Sequence, residues 1–278
     1  MAAVQLPKFV NQPESQFISL VDNYIDQAKK NEVKIILFPE LHTFNIIDNM
    51  TIANFNKVSH FTNTYKTFLK AKAISSGMII IGGTSITQKN NKFYNTLIIA
   101  FPNGQIKTTD KNILTPGELE NNITGVGRDD PLSFNTPWGS MAVLICYETN
   151  SPEVISKISK TAPNIIFVTS NTSMGQLEYV KIAAQYMSIW QLSYVLLTGI
   201  TTNTPLEKIS NQTVGQAIFI SPLGKENHPI ITTLGKFNQP GIFITSVDIN
   251  KIKKLKSSFK IGYPARDYAI QHGIKFTN

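Results

Sequence analysis

The sequence predicts an α/β fold built in layers, and three observations carry that reading. Short apolar, β-branched runs alternate with longer amphipathic stretches along the 278 residues. The apolar runs are continuous enough to be covered on both faces, as strands between two layers are. About ten strands and four or five helices are also too many for one uncovered layer. Two sheets packed on each other with helices outside satisfy all three observations, and a doubly wound single sheet satisfies the pattern equally well.

The elements follow in order. Ala2–Leu6 reads as a strand. Glu14–Lys30 reads as a helix, because Phe17, Leu20, Val21, Tyr24, Ile25 and Ala28 recur on one face at helical spacing. Val33–Phe38 is a buried strand, Val58–Ser76 a second helix and Met78–Gly83 another buried strand. Phe93–Phe101 and Ile106–Asp110 form a hairpin across Pro102-Asn103-Gly104-Gln105, a run of turn residues. Met141–Ile145 is the next strand. A helix over residues 151–160 has a clear start, with Ser151 as N-cap and Pro152 in the first turn. Ile165–Thr169 is a strand, Leu177–Gln191 a helix and Tyr194–Ile200 a strand. Val214–Ser221 and Pro229–Thr233 flank a turn at Pro222-Leu223-Gly224, and Gly241–Val247 is the last strand. No fixed-period repeat or linker divides the chain, so residues 1–278 are expected to form a single domain.

Composition narrows the function. Apolar residues make up 42% and charged residues 16%, enough for a sizeable core. The only cysteine is Cys146, which excludes an internal disulfide framework and fits a reducing, cytoplasmic compartment. His42, His60, His228 and His272 are scattered with no cysteine pair beside them, so no metal and no cofactor site is expected. The net charge of +8 comes almost wholly from lysine, since Arg128 and Arg266 are the only arginines. Without arginine forks or basic runs interleaved with aromatics, that charge reads as a solvated surface and no nucleic-acid partner is expected. Lys251–Lys256 is a short amphipathic stretch read as a solvated helix face. No run approaches the roughly 18 apolar residues of a membrane span, and no signal peptide is apparent. Dinucleotide-binding and P-loop glycine patterns are absent.

Three strand ends carry chemistry. Cys146 ends the apolar run Met141–Ile145 and stands before the helix that Ser151-Pro152 opens. A strand stopping at a sharp turn presents its last side chain rigidly, and the following backbone N–H groups favour a developing negative charge. By itself a lone cysteine reads first as a small buried hydrophobe, and two other segments change that weighting. Glu40 follows Ile35-Ile36-Leu37-Phe38-Pro39, where poor solvation raises a carboxylate's pKa toward the range of a general base. Lys111 follows the run Gln105–Asp110, where a fixed cation would lie over an oxyanion.

The spacing of Glu40, Lys111 and Cys146 resembles the nitrilase, or carbon–nitrogen hydrolase, superfamily. Phe38-Pro39-Glu40 resembles its Pro-Glu segment. Asp110-Lys111 with Leu114, Pro116, Gly117 and Glu118 resembles its Lys…Pro…Glu segment. Gly139 with Leu144-Ile145-Cys146-Tyr147-Glu148 and Pro152-Glu153 resembles its cysteine segment. Val4-Gln5, Asn103-Gly104, Ser170-Asn171 and Pro264…Arg266-Asp267-Tyr268 are similar as well. The resemblance implies a four-layer αββα sandwich of two mixed β-sheets covered by helices, and a homodimer or larger homo-oligomer. It implies that Cys146 is the nucleophile, Glu40 the general base and Lys111, with the Tyr147 backbone N–H, the oxyanion stabiliser. Glu118 is implied as the second glutamate that positions the lysine, ahead of Glu120. Glu148 and Asn171 are implied as supporting or substrate-binding residues.

The implied activity is hydrolysis of a small amide, carbamoyl or nitrile compound through a thioester acyl-enzyme. Ile-Cys-Tyr-Glu and Pro-Gly-Glu also resemble apolipoprotein N-acyltransferases, which pass the acyl group to an amine; an acyltransferase domain is therefore an alternative. The chain departs from the family where a tryptophan is common, at Met174, and at Ser188…Gln191 in place of an Arg-x-x-Glu pair. These changes are expected to alter the pocket wall, and they motivate a third reading, a catalytically dead binding module. Phe44, Tyr94, Trp138 and Tyr147 are aromatic candidates for lining a pocket.

Overall fold

In the computed structural model, which describes residues 1–202, 213–222, 230–257 and 271, apolar alternation sorts the chain into layers. The first half runs β1 (Ala2–Pro7), α1 (Glu14–Lys30), β2 (Ile35–Leu37), a 3-10 turn over His42–Ile46, α2 (Ile52–Ser76), β3 (Ile79–Lys89), β4 (Lys92–Ala100), β5 (Ile106–Asp110), α3 (Pro116–Glu120) and β6 (Ile123–Gly125). The second runs β7 (Ser133–Thr136), β8 (Gly139–Ile145), a 3-10 turn over Cys146–Asn150, α4 (Pro152–Ser159), β9 (Ile165–Thr169), β10 (Thr172–Ser173), α5 (Met174–Gln191), β11 (Tyr194–Thr198) and β12 (Ile200–Thr201). After these come β13 (Thr213–Val214), β14 (Ile218–Ser221), β15 (Ile230–Thr233), β16 (Gly241–Ile244) and α6 (Ile249–Ser257).

Among the described residues two main mixed sheets result, beside a two-stranded pair of β10 and β13, so the doubly wound single sheet is excluded. The first has the order β12-β1-β2-β3-β4-β5, with β16 on β1 and β6 on β4; the second has the order β15-β14-β11-β9-β8-β7. Period-two alternation decides what each face of the first sheet touches. Ala2, Val4, Leu6, Ile36, Ile80, Ile98 and Ala100 pack with α1 and α2, against Phe17, Val21, Phe55, Tyr65 and Leu69. Their neighbours Ala3, Ile35, Leu37, Ile79, Ile81, Leu97 and Ile99 join the core of the second sheet, which includes Val143, Ile145, Phe167 and Leu196. The same core extends to Val154 and Ile158 of α4 and Leu177, Val180 and Ala184 of α5. Helices, sheet, sheet and helices therefore form the four-layer αββα sandwich.

Several boundaries differ from expectation for identifiable reasons. Helix α2 begins at Ile52, six residues before Val58, because Thr51 caps it by accepting from the Asn54 backbone N–H at 3.3 Å. Helix α5 begins at Met174 because Ser173 and Gln176 form a capping box. The expected strand Tyr194–Ile200 divides at Gly199: β11 lies in the second sheet and β12 pairs with β1 of the first. Val214–Ser221 divides likewise, with β13 on β10 and β14 on β11. Gly215 is the reason, since a Cβ there would lie 2.6 Å from the Ile200 carbonyl oxygen. Lys251, Lys253 and Lys254 of α6 are exposed, as the solvated-face reading expects, and only Lys256 departs from it: its Nζ donates to the carbonyls of Ala162 and Pro163 at 2.9 and 2.5 Å, and burial pulls its pKa down to about 7. Leu223-Gly224, the start of the strand at Pro229, and Pro264…Tyr268 lie outside the described residues.

Candidate active site

The three predicted strand ends open into one cleft of about 840 Å³, lined among others by Glu40, Lys111 and Cys146. Glu40 follows β2, the next residue Leu41 has φ of 50°, and the carboxylate is buried. Lys111 follows β5 and is the largest fully buried charged side chain of the described residues, 1% exposed. Cys146 follows β8 with φ of 45°, an uncommon conformation for a side-chain-bearing residue. Its side chain lines the cleft and is only 6% exposed.

Glu40 is held by three donors. Oε1 accepts from Lys111 Nζ at 2.8 Å and from Asn95 Nδ2 at 2.8 Å; Oε2 accepts from the Asn171 backbone N–H at 3.0 Å. Lys111 Nζ also donates to Glu118 Oε2 at 2.7 Å, and Asn95 Nδ2 donates to Glu118 Oε1 at 2.7 Å. Glu118 is fixed by the capping box of α3, where its Oε2 accepts from the Thr115 N–H at 2.8 Å. One ammonium and one amide thus bridge two carboxylates. Asn95 was not singled out in the sequence, and the only signal for it is its place on the strand between β3 and β5 in the sheet order.

A second support lies behind Glu40. His42 is fully buried, its Nδ1 2.7 Å from the Pro39 carbonyl oxygen and its Nε2 2.8 Å from the Tyr65 hydroxyl. Burial lowers the His42 pKa to about 4, so the ring is neutral near pH 7. Because a carbonyl only accepts, Nδ1 carries the proton, and Nε2 accepts from Tyr65. Gly83, at φ of 64° in the β3 bulge, makes room: a Cβ there would lie 2.0 Å from the Pro39 oxygen.

The other predicted site residues divide. Tyr147 and Asn171 line the cleft. Tyr147 is half-exposed, and its amide lies in the first turn of the 3-10 segment, where no intrahelical acceptor exists. The Asn171 carbonyl lies 4.0 Å from Cys146 Sγ. Glu148 does not reach the cleft. It is buried behind the cysteine, where its Oε2 accepts from the Ile145 N–H at 2.8 Å and its Oε1 from the Asn112 N–H at 2.7 Å, tying the cysteine turn to the lysine loop. Glu120 is not among the lining residues, whereas Glu118 is.

Met174 and Gln191, where the chain departs from the family, are not among the residues that line the cleft. Gln176, Tyr179 and Val180 line it. Gln191 is buried toward α4, its Nε2 donating to Ser159 Oγ at 2.5 Å. Phe44 and Tyr147 line the cleft, but Tyr94 and Trp138 face two other depressions.

The charges are strongly coupled. Burial pulls the Lys111 ammonium down, but Glu40 and Glu118 outweigh it and hold its pKa above the ordinary lysine value. Burial pushes Glu118 up, yet Lys111 and the donors around it leave it below the usual carboxylate value. Glu40 is raised, chiefly by burial, with Glu118 adding to the rise and Lys111 opposing it. Burial and the Glu40 carboxylate push the Cys146 thiol well up, against the smaller pull of Lys111. At rest the proton therefore sits on sulfur, and Glu40, bonded to the Lys111 ammonium, is the acceptor in the same cleft.

The profile of the family described as Carbon-nitrogen hydrolase matches residues 1–257. The 2-oxoglutaramate amidase of Bacillus subtilis is 24% identical over 249 residues, covering 89% of this chain and 90% of that protein. Probable hydrolase YhcX of the same organism is 24% identical over 197 residues, and the match spans 68% of this chain but 38% of YhcX. A solved structure from Xanthomonas campestris, described as a CN-hydrolase superfamily protein with an arsenic adduct in the active site, superposes with a TM-score of 0.75 at 15% identity, covering 100% of this chain and 97% of that one. At that identity the likeness is one of fold.

Proposed function

Because the chain belongs to the carbon–nitrogen hydrolase family, we propose that it is a cysteine-dependent amidase that cleaves a small amide, carbamoyl or nitrile compound through an acyl-enzyme on Cys146. One observation carries the reading: a carboxylate bonded to an ammonium shares a cleft with a thiol, although the three are 106 positions apart at the extremes, from 40 to 146.

For an amide, Cys146 Sγ attacks the carbonyl carbon as its proton passes to Glu40. The C=O π pair moves onto oxygen, and Lys111 with the Tyr147 N–H stabilises that charge. Collapse breaks the C–N bond, and the amine leaves with the proton from Glu40. Glu40, again a carboxylate, takes a proton from water as that water attacks the thioester. Collapse of this second adduct breaks the C–S bond, Glu40 returns its proton to the sulfur, and the acid product leaves as carboxylate after losing its proton to solvent. Lys111 holds its proton throughout, since two carboxylates oppose its loss. Glu118 is proposed to position the lysine, and Asn171 to hold Glu40 through its amide.

The test is turnover of a panel of small amides and nitriles, read as released ammonia, with intact mass on Cys146. Wild-type turnover and its complete loss in Cys146→Ala are expected. Absence of both ammonia and adduct across the panel refutes the reading.

A second copy of the chain is the proposed partner. The outer face of α5 leaves Ile182, Tyr186 and Ile189 exposed, one apolar row at helical spacing. Sedimentation at the monomer mass at all concentrations would refute this.

A further inference from the structure

We propose that Asn95 is a positioning residue of the site: together with Lys111 it fills Oε1 of Glu40, so that the proton of Cys146 passes to Oε2. The inference rests on the proposed roles of Glu40 and Cys146, but its tests do not need turnover.

The arrangement begins in the sheet. β4 and β5 are antiparallel, and their register ends at Thr96 opposite Asp110. The next opposed positions are Asn95 and Lys111, where the Lys111 N–H donates to the Asn95 carbonyl at 2.8 Å. Residues opposed across antiparallel strands point to the same side. The two side chains therefore reach Glu40 together and donate to one atom: Oε1 accepts from Lys111 Nζ at 2.8 Å and from Asn95 Nδ2 at 2.8 Å. A carboxylate oxygen has about two lone-pair positions, and on Oε1 both are taken. Oε2 accepts from the Asn171 N–H at 3.0 Å, and the carbonyl of that same residue lies 4.0 Å from Cys146 Sγ. The Asn171 backbone thus touches both Oε2 and the sulfur, which puts Oε2 on the thiol's side.

Both hydrogens of the Asn95 amide are committed, the second to Glu118 Oε1 at 2.7 Å. Exchanging the amide's oxygen and nitrogen would set an oxygen against two carboxylates, so the partners fix its orientation. As a result Asn95 Oδ1 is buried with no partner among the described residues. That unpaired acceptor costs the fold stability, which the two bonds to charged oxygens offset.

Iodoacetamide tests the role through the chain's single thiol. Alkylation forms the S–C bond, releases iodide and passes the thiol proton to Glu40, so its rate falls at low pH as Glu40 takes up a proton from solvent. The rate is followed against pH by intact mass on folded protein. Among the described residues the titratable groups acting on Glu40 and Cys146 are Lys111, Glu118 and, behind the cysteine turn, Glu148, and the substitutions leave all of them in place. Asn95→Leu, close in size and without a donor, takes away a bond that favours the charged carboxylate. The acid limb should therefore move up, by about one pH unit. Asn95→Asp, the isosteric acid, adds a like charge and should move the limb up at least as far. A residue that only fills space would leave the limb in place, whatever its loss did to the urea midpoint. A limb within about 0.3 pH unit of wild type in either folded variant overturns the inference.

Nitrogen-15 NMR of the Asn95 side chain reads the same bonds in the wild-type protein, and decides the matter where the variants fail to fold. The N–H on Oε1 should shift through the acid limb yet stay protected from solvent exchange. Loss of that protection means the proton has displaced Asn95 from Oε1, and no shift means the bond is absent; either result overturns the inference. If no amide of the panel is hydrolysed while the limb moves as expected, the amidase reading fails and the role of Asn95 stands. If amides are hydrolysed and the limb stays, the reverse holds.

Discussion

Replacing Gly83 with alanine should damage both stability and activity, although one methyl group is added far from the sulfur's own turn. Gly83 has φ of 64°, and its Cβ would lie 2.0 Å from the Pro39 carbonyl oxygen and 2.8 Å from two atoms of the His42 ring. The left-handed backbone costs about 1 kcal/mol for a residue with a Cβ. The Pro39 carbonyl has to retreat by more than an ångström to reach ordinary contact, which breaks its 2.7 Å hydrogen bond from His42. Leaving those buried groups unpaired costs about 1–3 kcal/mol more. A total of roughly 2–4 kcal/mol lowers Tm by about 3–7 °C for a chain of this size. Pro39 adjoins Glu40, so the base shifts with it, and a displacement of about 1 Å at a reacting group typically costs about 100-fold in rate. Calorimetry and ammonia release measure the two effects. Gly175→Ala is the control: it lies in the first turn of α5, has nothing within 4 Å of its Cβ, and should be neutral or stabilising by up to about 1 kcal/mol. If Gly83→Ala matches Gly175→Ala in Tm and keeps wild-type turnover, the Pro39–His42–Gly83 argument is wrong.

Three further outcomes are expected. Lys111→Met leaves Glu40 and Glu118 facing each other without their cation, so it should destabilise the fold by about 3–5 kcal/mol in urea titrations and abolish turnover; unchanged stability would mean the buried pair contributes nothing. Glu148→Gln offers a donor where a backbone N–H now donates to a carboxylate oxygen, costing about 1–3 kcal/mol and loosening the cysteine turn, read as a lower urea midpoint with reduced kcat. His42, lowered from 6.5 to about 4 by burial, binds a proton in the unfolded chain before the folded one does. Its contribution is therefore complete above pH 6.5 and is lost as pH falls toward 4, by roughly 3 kcal/mol in all. His42→Gln should flatten the urea midpoint across that window, and parallel profiles for variant and wild type would refute the assignment.

Much of the architecture was readable because its cues are local. The spacing of Phe17, Val21, Tyr24, Ile25 and Ala28 marks α1, and these are the residues α1 buries. Ser151 caps α4 by accepting from the Val154 N–H, with Pro152 in the first turn, as the sequence indicates. The hairpin of β4 and β5 turns at Asn103-Gly104. Cues that depend on a distant neighbour were missed. Tyr194–Ile200 reads as one strand because every residue is compatible with a pleated run, yet Gly199 passes the chain from one sheet to the other. His42 and Asn95 look like ordinary loop and strand polars, since their partners Tyr65 and Glu118 come from elements 23 positions away in each case.

Sequence by itself determined the alternation of strands and helices, the identity of the lone thiol, and the three strand ends that carry an acid, an amine and a sulfur. These follow from side-chain periodicity and backbone preference, which act over a few residues. Tertiary structure decided that the strands divide between two main sheets, that Glu148 braces the cysteine turn behind the cleft, and that Lys111 is clamped between Glu40 and Glu118. Those outcomes depend on which buried surfaces meet and which charges lose their water together, and such energies exist only once distant parts of the chain are in contact.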